Sequence, residues 1–475
     1  MPNWNNVLGG NWNNALNWDT GVPNGVDAVA TFGLFESTGG LVDLISLTGN
    51  TFTVGTLELT TRALDQYYLT NGTLIMQVSS GSAAIDISTS GAGEALPSVI
   101  GNSVTLQLNS ATTIDVAVGA VLFLEGVISG TGALTKTGGG SLELEGNNTF
   151  TGATAITAGS VLVEVESALA SSSGVTLSAG AELFFGSIEN SSFSIKNLAG
   201  SGGTISGSGS TTVSLTLTEG NGVFEGVLQD GASGLRLIKS GSGITYLTGT
   251  NTYSGGTTVN DGILLMGGGT PTGTIGTGAL AINGGIFALF RSDDLTFDNT
   301  ITGTANFDKN LTNTATLTGD NSGFTGTFTV NGGTLARNWG NLNAFGNGGA
   351  AMVVNAGGTL DIGAFGSVQL RVLSGGGTVT SSADGYTPFL QITGTENSTF
   401  DGVIQDGSSL FLTITKSGAG TLTLTGTNTY TGVTIVEGGT LALTGTGSIS
   451  GSKVFVENGG TFSIAGTTVG ASIKS

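Results

Sequence analysis

The chain has 475 residues, of which 85 are glycine and 5 proline, and 12 basic against 32 acidic residues give a net charge of −20. So few cations cannot line a phosphate-tracking stripe or hold an anionic lipid surface, which argues against nucleic acid and membrane lipid as partners. Cysteine and histidine are both absent, which excludes disulfides and thiolate zinc sites and removes the commonest general base.

Apolar residues make up 38% of the chain, too many for a collagen or a flexible glycine linker. The length suggests about three globular domains, or one elongated solenoid in which each coil touches only its neighbours.

Residues 1–32 carry Trp4, Trp12 and Trp18 in asparagine-rich text, followed by VPNG and DAVATF. The first coil of a stack exposes strand edges and core, so a cap of bulky side chains is expected here. The same three indoles suit a second use, stacking on sugar rings.

From residue 33 onward the text is coil-like. Up to 125 the runs FTVGTLELTT, YYLTNGTLIMQV, SVTLQLN and TIDVAVGAVLFLEG alternate apolar and polar residues, the period of a strand with one buried face. TRALDQ (61–66) reads as the one helical turn or insert loop, and ALPSVIGNS as another loop. The stretches 126–163, 226–266 and 402–443 then share one block. A lysine (Lys136, Lys239, Lys416) precedes an S/T-G-x-G turn and a strand; an asparagine (Asn148, Asn251, Asn428), an aromatic (Phe150, Tyr253, Tyr430), T-G or S-G and a second strand follow. A worn copy at 313–336 keeps Phe324. Between copies, 267–312 is looser.

A finer unit, G-x-L-x-apolar, recurs through nearly the whole chain at steps of about 17–25 residues, the length of one solenoid coil. The connections are too short for crossover helices, and the return of one block favours stacking over isolated hairpins. At about 21 residues per coil the chain makes roughly 20 coils. With strands about 4.8 Å apart, the rod would be about 100 Å long. The predicted fold is therefore all-β, a single parallel β-helix over 33–475 behind an N-terminal cap.

Few residues carry chemistry. N-G pairs at 71, 221, 283, 331 and 458 place residues that tolerate positive φ at turns, and the repeat asparagines should satisfy backbone groups at matching turns. The repeat lysines are expected to bond turn carbonyls or a neighbouring acid, because nothing nearby suits catalysis. Glu125, Glu145 and Glu164 fall about 20 residues apart, in FLEG, LELEG and LVEVES. Stacked near 5 Å they would repel unless splayed, protonated or bridged by calcium. Asp293, Asp294 and Asp298 form the densest acidic cluster; their spacing is not an EF-hand, so they read as a solvated loop or a weak cation site. Of the arginines, Arg62, Arg236, Arg291, Arg337 and Arg371, none lies beside a recognisable acid motif.

The pattern K-[ST]-G-x-G-x-L-x-L-x-G-x-N-[TS]-[YF]-[TS]-G-x-T-x-[VI]-x-x-G-x-L resembles the passenger-associated strand repeat of bacterial autotransporters. The opening NWNNALNWDTGVPNGVDAVATF is similar to the start of many mature passengers. The resemblance implies a right-handed single-stranded β-helix displayed outside the cell. Met1-Pro2-Asn3-Trp4 opens no signal peptide, and the C-terminal text shows no membrane barrel, so export by its own barrel is not expected. Three functions follow. The first is a non-enzymatic extracellular structural or adhesive protein, either bound to a cell-surface or matrix component or stacked end to end as a fibre subunit. The second is a passenger fragment serving adhesion or biofilm. The third is a polysaccharide-binding or polysaccharide-degrading β-helix.

Overall fold

The alternating runs become short strands, and every pairing between two of them described below is parallel. The computed structural model describes residues 2–6, 9–33, 42–61, 66–90, 96–186, 191–363, 366–382, 385–408 and 411–468. It is an all-β parallel β-solenoid of about 18 turns, whose contacts group into two units, Met1–Gly255 and Gly256–Ser475.

In the first unit one sheet climbs through Val121–Leu124, Ser141–Leu144, Ser160–Val163, Glu182–Phe185, Thr204–Gly207 and Val227–Gln229. A second climbs through Thr112–Val116, Leu134–Thr137, Thr154–Ile156, Val175–Leu177 and Leu198–Gly200. From Ser192–Ile195 a third sheet joins, with Val213–Leu217 and Leu235–Lys239. In the second unit, one sheet runs through Ile263–Met266, Ile286–Leu289, Asn306–Lys309, Thr327–Val330, Ala351–Val354 and Val372–Ser374.

Strand alternation sets the core. Leu122, Leu142, Val161, Leu183, Ile205 and Leu228 stack in one inward row and all are buried. Phe287, Phe307, Phe328 and Met352 do the same in the second unit, with successive phenylalanine centroids 5.5 and 5.4 Å apart. A one-residue slip would turn a whole row outward, so register is strongly specified.

The turn count falls slightly below the expected 20 because some coils carry inserts. Val330 pairs with Val354, a step of 24 residues, since residues 338–350 form a loop without strand. The only helical element among the described residues is a 3₁₀ turn at Ala15–Asn17, capped by Asn14. The sequence reading had no signal for it, and Arg62 to Asp65 of TRALDQ lie outside the described residues. At two of the N-G turns the positive φ falls one residue late, on Gly285 and Gly333.

Candidate functional site

Each copy of the repeat is built from a lysine, a glycine, an asparagine and an aromatic residue, the asparagine always twelve residues after the lysine. Lys136, Lys239 and Lys416 lie at or one residue before the ends of their strands, each in line with a buried apolar residue: Lys136 with Ile114 and Ile156, Lys239 with Leu217, Lys416 with Ile392 and Val436. Lys309 is a fourth, between Leu289 and Val330. All four are at most 1% exposed. The aliphatic stem fills a core position, and the ammonium is coordinated by backbone carbonyls of the adjoining turns. Lys136 Nζ donates to the carbonyls of Thr137 (2.6 Å), Gly138 (2.8 Å) and Ala158 (3.3 Å). Lys309 Nζ donates to Asn310 (2.7 Å), Leu311 (3.1 Å) and Gly332 (3.2 Å), and to Asn313 Oδ1 (2.9 Å). Lys239 reaches the carbonyl of Gly241, and Lys416 those of Gly418 and Gly438. Burial drives Lys136 and Lys309 down to about 8, against the pull of Asp115 and Asp294 respectively. Burial lowers Lys416 as well.

Twelve residues after each lysine stands the asparagine, and it bridges coils rather than satisfying its own turn alone. Asn148 Oδ1 accepts from the Ile128 N–H (2.7 Å) while its Nδ2 donates to Ala168 O (3.2 Å), 20 residues back and 20 ahead. Asn321 likewise accepts from Ile301 and donates to Ala344, and Asn428 accepts from Ile404 and donates to Ser448. Asn251 accepts from Leu228 (2.7 Å). Between lysine and asparagine a glycine lets backbones touch: a Cβ on Gly249 would lie 1.9 Å from the Gly226 carbonyl. Phe150, Tyr253, Phe324 and Tyr430 are fully buried, and the Tyr430 hydroxyl bonds Thr434 Oγ1 at 2.7 Å. Sequence reasoning missed Lys309 because N-L-T-N replaces the S/T-G-x-G turn, although its distance to Asn321 is that of the other copies.

The acids lie in two rows. Glu125, Glu145 and Glu164 occupy equivalent positions, as Glu145 N–H donates to Leu124 O and Glu164 N–H to Leu144 O, both at 3.0 Å. The outer two lean apart. Glu125 accepts from the Tyr68 hydroxyl at 2.7 Å and faces the preceding coil, while the Glu164 carboxylate lies over Gly186 in the next. Burial raises Glu145, and its two neighbours add to it. Glu125 pushes the Tyr68 phenol up to about 12. The sequence reading missed a second row, Glu58, Asp86 and Asp115, in direct cross-strand register, because its steps of 28 and 29 residues break the 20-residue rhythm. Thr31 and Thr137 hydroxyls donate to its two ends, at 2.8 and 2.6 Å. Burial and both neighbours raise Asp86. Among the described residues no group of three such side chains is arranged to hold a metal ion.

Two readings from the sequence need correction. The indoles of Trp4, Trp12 and Trp18 are 0–4% exposed and pack around Phe32, with centroids 5.3–5.5 Å from its ring. Sugar stacking needs an open ring face, which these lack. Arginines also do find acids. Arg291 Nε donates to Asp293 Oδ1 at 2.9 Å, which lowers that carboxyl, and Arg371 pairs with Glu396. Asp294 accepts from the Thr314 N–H at 2.7 Å. Two members of the Asp293, Asp294 and Asp298 cluster are therefore committed to protein donors.

Buried lysine, close-packed glycine, bridging asparagine and buried aromatic together define a parallel β-solenoid built on a passenger-type repeat. The passenger-associated-transport-repeat model matches residues 134–163, 237–266, 312–336 and 414–443, so the chain carries four copies of a passenger-type repeat. It is similar to the adhesin BmaC autotransporter of Brucella suis biovar 1 (strain 1330), 29% identical over 324 aligned residues that cover 56% of this chain and 9% of that protein. The chain thus spans about a tenth of that relative's length. No solved structure matches. Passenger-type repeats and this likeness make the chain an extracellular, cell-surface protein. Among the described residues no helix is long and apolar enough to cross a membrane.

Proposed function

We propose that this chain is a non-enzymatic, surface-displayed scaffold with an adhesive role. One observation carries the reading: the residues that define the repeat are spent inside the fold. The lysines are buried among carbonyls, the asparagines bridge coils and the aromatics are fully covered, leaving outward faces to thread through loops and rows of Thr, Ser and Asn. A relative named an adhesin supports it. Its partner is a cell-surface or matrix component. Display of the chain on a non-adherent bacterium should raise attachment to cells or matrix-coated surfaces; attachment equal to that of the empty display host would refute it.

The residues of 1–32 act as a cap in this reading, since Trp4 N–H donates to Thr31 O and Gly10 pairs with Ile45.

A further inference from the structure

The worn copy of the repeat differs from the other three beside its lysine. Four residues after Lys136, Lys239 and Lys416 stand Gly140, Gly243 and Gly420; four residues after Lys309 stands Asn313. Its carboxamide enters the lysine's site. Oδ1 accepts from Lys309 Nζ at 2.9 Å, and Nδ2 donates to the Asp293 carbonyl. Lys309 is 0% exposed and Asn313 7%, so both groups are shielded from water.

The turn that joins them is also unlike its counterpart. Leu311 holds φ at +65°, where the Lys136 copy has Gly138 at +71°. A bulky side chain keeps that left-handed conformation only where its surroundings hold it. Here the holding groups are Lys309 and Asn313, one at each end of the turn.

An amine in contact with a carboxamide is a nucleophile beside an acyl carbon. With 2.9 Å between Nζ and Oδ1 and a C=O bond of about 1.2 Å, the Asn313 Cγ lies within about 4 Å of the amine. Attack proceeds from about 3–3.5 Å, a small adjustment away. Burial brings the Lys309 amine down to about 8 against the pull of Asp294, so at pH 8 about half of it is neutral and nucleophilic.

We propose that Lys309 and Asn313 condense to an intramolecular isopeptide bond that locks this turn. Neutral Nζ attacks Cγ; the Nζ–Cγ bond forms, the Cγ–Nδ2 bond breaks, and one proton passes from Nζ to Nδ2, which leaves as ammonia. Nothing is oxidised or reduced and no co-reactant is needed. Asp294, whose charge reaches Lys309 and whose carboxylate accepts from the Thr314 N–H at 2.7 Å, is placed to carry the proton. Below pH 7 the amine is mostly an ammonium held by four oxygens, so freshly purified chain carries the free pair and the bond forms over days at higher pH.

The test is mass spectrometry of the full chain held at pH 6 and at pH 9. At pH 9 a fraction should become lighter by one ammonia, growing with time and faster than at pH 6. In a tryptic digest of that fraction the cut after Lys309 should be lost, leaving residues 292–337 as one peptide whose fragments place the link between Lys309 and Asn313. A succinimide at an Asn-Gly pair has the same mass loss but leaves Lys309 open to trypsin. Lys309→Met and Asn313→Ala should show no ammonia loss in this peptide, and Asp294→Asn should slow the loss by about tenfold or more. Full cleavage after Lys309 in the unmodified chain at pH 9, a measurement that needs no variant to fold, overturns the proposal. So does ammonia loss within 292–337 that persists at the same rate in Lys309→Met.

Discussion

Replacing Asn148 by alanine removes one amide and breaks two inter-coil links at once. Asn148 is 3% exposed, and its amide holds the Ile128 N–H at 2.7 Å and the Ala168 carbonyl at 3.2 Å. Each buried group left without a partner costs about 1–3 kcal/mol, and water entering the vacated space recovers part of it. The expected loss is therefore about 2–4 kcal/mol. In a solenoid the coils are coupled only to neighbours, so the damage should stay local and a single global midpoint will understate it. Hydrogen exchange resolves this: amides of residues 126–150 should exchange about 30-fold to several hundred-fold faster, while those near Leu422 are unchanged. The control is Asn147→Ala, an exposed neighbour bonded only to the Ser167 hydroxyl among the contacts seen, with an expected effect within about 0.5 kcal/mol. Unchanged protection at Ile128, or an equal effect from Asn147→Ala, would refute the bridging role.

Three further outcomes follow from the same geometry. The buried Lys136 and Lys309 sit at about 8 against an ordinary 10.5, so between these values the unfolded chain binds more protons than the folded one. Stability should rise from about pH 8 to 10.5, and urea midpoints across that range should show a smaller rise in Lys309→Met. Asp86 is raised, so the folded form holds its proton more tightly and stability falls as pH climbs through that value. Asp86→Asn should gain about 0.4–2 kcal/mol at pH 7 from two relieved like-charge neighbours and almost nothing at pH 3; a loss at pH 7 in thermal melts would contradict the row. Gly249→Ala should destabilise by about 1–3 kcal/mol through overpacking, since the new Cβ meets backbone that cannot rotate away; limited proteolysis near 226–249 reports it.

The solenoid was legible because its signal is local and repeated. Glycine-bounded alternating runs announce strands, and their recurrence announces stacking. Composition alone limits charged chemistry when 9% of the residues are Asp, Glu, Lys or Arg. The repeat lysine, asparagine and aromatic could be picked out, but what they do could not, because each acts on a coil about 20 residues away.

Stacking sets which residues end up beside one another across unequal steps. Glu58, Asp86 and Asp115 align although 28 and 29 residues separate them, and Trp339 meets Tyr386 across a loop insert. Coil length varies with every insert, so a fixed rhythm cannot index these neighbours. The same holds for burial. Trp12 and Trp339 carry the same side chain in similar asparagine-rich text, yet one is sealed against Phe32 and Phe52 and the other is 66% exposed. Sequence determines that a coil must stack, because no coil can cover its own apolar face; the stacking itself determines which side chains are left facing water.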